Sequence, residues 1–433
     1  MSDKFVKAVV EEYNLKFPSK KFVPGQSYVP VSGKVFDEKE MILASEAVLE
    51  GWWTEGKFSI LLEQKFSKWL GVRHVAFVNS GSSANLLAIS ALTSYRLGDR
   101  RLKPGDEVVT VAAGFPSTVN PIIQNGLVPV FLDIELGYYN IDISKIKEAI
   151  GPKTKAIFIA HTLGNPFNLN VLGEICKEYN LWLIEDNCDA LGSMYDGKLT
   201  GTFGHIATCS FYPAHHITMG EGGAVFTNDD LLHNIVVSMR DWGRDCYCMP
   251  GRDNTCGKRF GWKLGSLPFG YDHKYIYSEI GYNLKLTDMQ AALGLAQLDK
   301  LDGFIEKRQE NFSLLYDFIK QYEEFFVLPK WLENSKPSWF GFLLTVKESA
   351  PFSRDEIVSF LLSKKIATRY LFAGNLLKQP YFVNNEINYR TVGDFVNTDI
   401  VMNRTFWIGV YPGINKEMID WVTGSFEDFL QKF

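Results

Sequence analysis

Short apolar runs alternate with helix-period stretches through the first two thirds of this 433-residue chain, and no other feature constrains its fold as much. Strand-length runs stand at 75–78 (VAFV), 107–111 (EVVTV), 128–132 (VPVFL), 155–160 (KAIFIA), 181–185 (LWLIE) and 206–211 (IATCSF). Helical patterns such as 82–96 and 170–179 lie between several of them. That order predicts an α/β domain around a mostly parallel sheet. Ligands of such sheets sit beyond the carboxyl ends of the strands, and the polar residues of interest cluster there.

A chain this long, 46% hydrophobic, can bury a large core and divide into two domains. We read residues 1–35 as an arm over the large domain and 36–300 as that large domain, with a cysteine-containing insertion at about 244–275. Residues 301–433 follow as a linking helix and a small C-terminal domain. The linking helix is expected to start near Leu286, capped by Thr287, because apolar residues recur near a 3.6 period from there to Phe312. The net charge of −5 and the absence of a basic block argue against a nucleic-acid partner. No apolar run is long enough for a membrane span, and the polar N-terminus lacks a secretory h-region. A cytoplasmic location is the expectation.

The segment 209–226, CSFYPAHHITMGEGGAVF, bears most on chemistry. Ser210 and Phe211, then Glu221, Gly222 and Gly223 before a strand, resemble the segment of sugar aminotransferases that carries the pyridoxal-phosphate lysine. His215 stands at the lysine position. An isolated His-His pair is more often a pair of core histidines, but the flanking pattern reverses that reading for His215. An imidazole moves protons but cannot hold this cofactor covalently.

Four further segments match the same family, of pyridoxal-phosphate fold type I. NSGSSANLLA at 79–88 has a turn and helix start whose amides, with Gly81, Ser82 and Ser83, would hold a phosphate; Ser210 matches a further phosphate contact. In AAGFPSTVNPI at 112–122, Phe115 occupies the position that stacks on the pyridine ring. In LIEDNCDALGS at 183–193, Asp186 matches the carboxylate that pairs with the pyridine nitrogen and stabilises its protonated form; Asp189 joins the cofactor-binding set. In GYNLKLTDMQAALG at 281–294, Asn283 matches a residue reaching the neighbouring subunit's cofactor, which implies a homodimer.

Six cysteines are present. Cys246, Cys248 and Cys256 give C-x-C-x7-C, and 57 residues separate Cys188 from Cys246. This spacing fits zinc poorly; an iron–sulfur cluster and unrelated thiols both remain open on spacing alone. Cys188 lies two residues after Asp186, so a cluster bound there would sit beside the cofactor. With His215, the pattern resembles the CDP-6-deoxy-4-hexulose 3-dehydrases of 3,6-dideoxyhexose biosynthesis over nearly the whole chain. The resemblance implies an aspartate aminotransferase-like fold with a mostly parallel seven-stranded sheet and a smaller C-terminal α+β domain. It implies pyridoxamine 5′-phosphate (or pyridoxal phosphate) and a [2Fe–2S] cluster on Cys188, Cys246, Cys248 and Cys256. It assigns catalysis to His215 and Asp186, with a CDP-4-keto-6-deoxy sugar as substrate and an NADH-dependent flavin/iron–sulfur reductase as partner. A nucleotide-sugar aminotransferase and a cluster-free 3-dehydratase are the alternatives. Arg369, in 368–382, resembles a substrate-side residue. Arg244, Arg252, Lys258 and Arg259 interleave with acids and read as a solvated mixed-charge loop.

Overall fold

The computed structural model describes residues 1–248 and 252–433. The six expected runs form strands β1 (His74–Val78), β2 (Glu107–Val111), β3 (Val128–Leu132), β4 (Thr154–Ala160), β5 (Trp182–Asp186) and β6 (Ile206–Ser210). Gly223–Thr227, after the two glycines, is β7. Spatial order is β1-β7-β6-β5-β4-β2-β3. Neighbours from β6 to β3 are parallel, whereas β7 runs antiparallel to both β1 and β6. An eighth strand, only Arg390–Thr391, pairs parallel to β3 at the edge. The expected seven strands thus become eight, because a two-residue strand carries no periodic signal of its own.

These strands are buried on both faces, so they read as continuous apolar runs. Successive side chains still point to opposite sides. Val109, Val130, Ile157 and Leu183 enter one core, and Val108, Ala156, Phe158 and Ile184 enter another. Helices follow the strands: Gly81–Ala91 after β1, Pro116–Gln124 after β2 and Leu169–Glu178 after β4. The run 82–96 is therefore a shorter helix than expected, followed by a 3₁₀ segment at Tyr95–Arg100.

Thr287 caps a helix as anticipated, with a reciprocal capping box to Gln290. The expected single helix is two, Asp288–Leu298 and Leu301–Ile319. Asp299 and Lys300 keep right-handed dihedrals at the joint, and Lys300 pairs there with Asp37 and Glu40. Phe326–Val327, Gly341–Val346 and Thr405–Gly409 form a small antiparallel sheet. Its core includes Phe312, Phe342, Phe406 and Phe426. No residue of the first helix, Asp3–Lys16, is buried. The segment after it buries Phe22 and Val29 in that C-terminal core and Val31 in the main one. The insertion 244–275 includes 249–251, which lie outside the described residues; its described part forms no α-helix and no strand. Among the described residues no helix is long and apolar enough to cross a membrane.

Candidate active site

Asp186 ends β5 and is buried. One carboxylate oxygen accepts from Asn85 Nδ2 at 2.9 Å and Thr118 Oγ1 at 2.7 Å. The other accepts from the Cys188 amide at 3.1 Å. Asn85 is itself held by Thr208 Oγ1 of β6 at 2.5 Å. Two helices and two strands therefore fix one carboxylate, which leaves it little rotational freedom. Asn85 and Thr118 were not singled out in the sequence. The signal was an amide just before the apolar run LLAIS and a hydroxyl one turn after Phe115.

The helix start at Gly81–Ala91 lies beside it. Ser80 is the N-cap, and its Oγ accepts from the Ser83 amide at 3.1 Å. That cap uses Ser83, whose hydroxyl donates to Asn79 Oδ1 at 2.6 Å. The Gly81 and Ser82 amides remain for an anion. Gly81 abuts Ser210: a Cβ on Gly81 would stand 2.4 Å from Ser210 Cβ. Phe115 at the next strand end is 49% exposed and touches Phe372 edge-on at 6.0 Å. Its ring is thus not core.

His215 sits in the loop after β6, its amide donating to the Tyr212 carbonyl at 2.9 Å. Its Nδ1 is buried, lacks a hydrogen-bond partner and lies 3.4 Å from Asp189 Oδ1. The ring leans on Phe340 at 5.3 Å. Burial pushes its pKa down to about 4, against the opposing pull of Asp186. Burial and then Asp186 push the Asp189 carboxyl up to about 8. Both groups are held toward their uncharged forms. His216 faces elsewhere, with Nε2 2.8 Å from the Ser338 carbonyl, so the two adjacent histidines have different surroundings.

The chemistry of this donor set fits pyridoxamine phosphate or pyridoxal phosphate. It comprises an anion cradle that a methyl group would fill, a fixed carboxylate, an exposed aromatic face and an unpartnered imidazole nitrogen. Asn283 and Arg369 lie outside this cluster. Asn283 is exposed, and its backbone pairs with Asp241. Arg369 is exposed and pairs by its backbone with Trp407, whose ring packs on Phe340.

The cysteines divide. Cys246, Cys248 and Cys256 line one small cavity with Asp253, Asn254, Arg259, His273 and Lys274. Cys188 is not among its lining; it stands with Asp186, Asp189 and Cys209. Among the described residues no three His, Cys, Asp or Glu side chains are placed to hold a metal ion. The four cysteines as arranged therefore do not fit a shared [2Fe–2S] cluster. Of the four basic residues singled out there, Arg259 pairs with Asp272 and Asp253; Arg244, Arg252 and Lys258 make no ion pair among the described residues.

Residues 35–427 match the DegT/DnrJ/EryC1/StrS aminotransferase family. The chain belongs to this family. It is 59% identical over 98% of its length, and 97% of the relative's, to the lipopolysaccharide biosynthesis protein RfbH of Salmonella typhimurium. It is 51% identical to the dTDP-4-dehydro-2,6-dideoxy-D-glucose 3-dehydratase of Saccharopolyspora spinosa, covering 98% of this chain and 91% of that one. Among solved structures, the Escherichia coli GDP-4-keto-6-deoxy-D-mannose-3-dehydratase with bound hydrated PLP superposes with a TM-score of 0.82 at 28% identity, over 92% of this chain and 99% of that one. The aspartate aminotransferase-like fold is that of the family, and the resemblance drawn from the motifs holds at that level.

Proposed function

We propose that the chain is a pyridoxamine phosphate-dependent 3-dehydratase that removes the C3 hydroxyl of CDP-4-keto-6-deoxy-D-glucose, in 3,6-dideoxyhexose and O-antigen biosynthesis. The observation carrying this reading is His215, at the family's lysine position, with an unpartnered Nδ1 and a ring held neutral beside Asp186. When bound, the cofactor supplies an amine that condenses with the 4-keto group and a ring that takes up an electron pair. The Gly81 and Ser82 amides and Ser210 hold the phosphate, with Ser83 tightening the cap. Asp186, fixed by Asn85 and Thr118, would pair with the ring nitrogen, and Phe115 would stack on the ring. His215 accepts the proton of the methylene carbon beside the amine on an imidazole nitrogen. It returns that proton as the C3 hydroxyl leaves. No lysine is there to displace the amine.

The C-x57-C-x-C-x7-C spacing supports a [2Fe–2S] cluster, and with it an NADH-dependent flavin/iron–sulfur reductase. No step is assigned to the cluster, because Cys188 stands apart from the other three. That separation favours, as a second reading, a cluster-free 3-dehydratase. The absorbance spectrum and iron content of anaerobically purified protein discriminate the two. The dehydratase reading itself is tested by deuterium exchange at the cofactor methylene, with substrate present. His215→Asn should lower exchange ~10²–10⁴-fold and leave cofactor affinity intact. Exchange within about threefold of the parent would sink the assignment.

A further inference from the structure

The ring of Phe115 is half exposed, and no hydrophobic cluster among the described residues includes it. Its one aromatic neighbour among those residues is Phe372, at 6.0 Å between ring centres and 71° between ring planes. In such a crossed contact one ring offers its edge and the other its face. Whichever way round it lies, at least one face of Phe115 stays open.

Phe372 comes from the far end of the chain. It follows Arg369, whose backbone bridges to Trp407 at the edge of the small antiparallel sheet. Past the ring the chain crosses to the main sheet, just beyond β2. There the Ala373 amide donates to the Gly114 carbonyl at 3.4 Å and the Leu376 amide to the Ala112 carbonyl at 2.9 Å. The short segment that leads into Phe115 therefore also anchors the loop that carries Phe372.

The backbone at Phe372 is strained. It is the first central residue of the turn Leu371–Gly374, which the Gly374 amide closes onto the Leu371 carbonyl at 2.9 Å. Its φ is +45°. Gly, Asn and Asp take that region, and a bulky aromatic there is an outlier. Turn closure alone would therefore favour glycine or asparagine. Burial does not explain the residue either, since the ring is only partly buried. Strain of this kind persists where the surroundings over-determine it, and it collects at functional sites.

We propose that Phe372 is a positioning residue for Phe115: a strained turn of the C-terminal segment holds its ring against Phe115, so that an open face of Phe115 stands ready for the pyridine ring of the cofactor. The inference rests on Phe115 stacking on that ring. A ring already fixed before the cofactor arrives lowers the ordering cost of binding.

The test is a double-mutant cycle on the full chain, read by equilibrium dialysis against pyridoxamine phosphate. Phe115→Leu and Phe372→Leu should each weaken binding by about threefold to tenfold, the scale of one aromatic contact. The double variant should lose no more than Phe115→Leu alone, because Phe372 then has no ring to position. Losses that add overturn the proposal, as does unchanged affinity in Phe372→Leu. Phe372→Tyr keeps the ring and should bind within about twofold of the parent; a loss as large as that of Phe372→Leu overturns the proposal too. Phe372→Asn accepts the left-handed backbone and keeps the test open if Phe372→Leu does not fold. It should bind as weakly, and parental affinity in it counts against the proposal. Unchanged affinity in Phe115→Leu refutes the stacking and the proposal together. Coupling as expected, with methylene exchange surviving in His215→Asn, leaves this inference standing and refutes the dehydratase reading alone.

Discussion

Gly81→Ala is the most direct probe of the phosphate cradle. The added Cβ would meet Ser210 Cβ at 2.4 Å, Oγ at 2.7 Å and Cα at 3.1 Å. Carbon atoms pack comfortably at about 3.5–4.0 Å, so the shortfall at the closest atom is about 1 Å. Ser210 cannot easily yield, since its strand is paired on both sides, to β5 and β7. The helix start must move instead, and with it the Gly81 and Ser82 amides. Overpacking of this kind costs about 1–3 kcal/mol. A displacement of ~1 Å takes N–H donors outside the 2.7–3.2 Å hydrogen-bond range. Losing one hydrogen bond to a charged acceptor, worth about 1.5–3 kcal/mol, weakens pyridoxamine phosphate by at least about tenfold. Equilibrium dialysis against the cofactor measures this. Gly303→Ala is the control: it lies on an exposed helix position with nothing within 4 Å of the new carbon. It should leave affinity unchanged and stabilise by up to ~1 kcal/mol. Affinity in Gly81→Ala within about threefold of the parent would refute the cradle.

Three further outcomes are expected. Burial pushes His215 and His233 down to about 4, and lowers His205 and His216. Between about 4 and 6.5 the unfolded chain therefore binds more protons at His215 and His233, and each of these contributes a rise in stability with pH of up to ~1.4 kcal/mol per unit. Asp189, raised to about 8, and Glu63, raised to about 7, slope the other way in that window, so the histidine contribution is read by difference. His233→Gln should therefore lower the slope of melting temperature against pH between about 4.5 and 6.5 relative to the parent, and an unchanged slope would contradict the reading. Asn283→Ala should weaken cofactor retention at unchanged stability if the side chain serves a second subunit's phosphate; unchanged affinity in the assembled protein argues for a turn residue. Cys256→Ser should lower bound iron, if the thiolates hold a cluster, while methylene exchange persists; normal dideoxy-sugar formation by iron-free protein would remove the cluster from the reaction.

Legibility followed the physics of each element. The strands were readable because double-sided burial demands long apolar runs, and Thr287 because a capping box leaves a local mark. Asp186 and His215 were singled out through family spacing, which says nothing of what holds them: Asp186 is fixed by Asn85 and Thr118, each dozens of residues away in sequence. Phe372 was invisible for a related reason. A lone phenylalanine in a loop reads as core, and only the packing of two distant segments sets it against Phe115. The break at Asp299–Lys300 escaped because it interrupts direction without interrupting helical dihedrals.

The eighth strand has a consequence for how the protein comes into being. Arg390 grips Glu107 of β2 through two hydrogen bonds, at 3.0 and 2.7 Å, and also caps the Ala149 carbonyl at 2.6 Å. The outer rim of β3 is therefore closed by residues made after nearly nine tenths of the chain. During synthesis that rim stands open, with unpaired backbone groups that another nascent chain could match. The N-terminal Phe22 and Val29 must wait just as long, because the core they enter is the last to emerge from the ribosome. The ends of the chain thus lock late, and expression conditions that slow the final quarter of translation should favour aggregates over fully sealed protein.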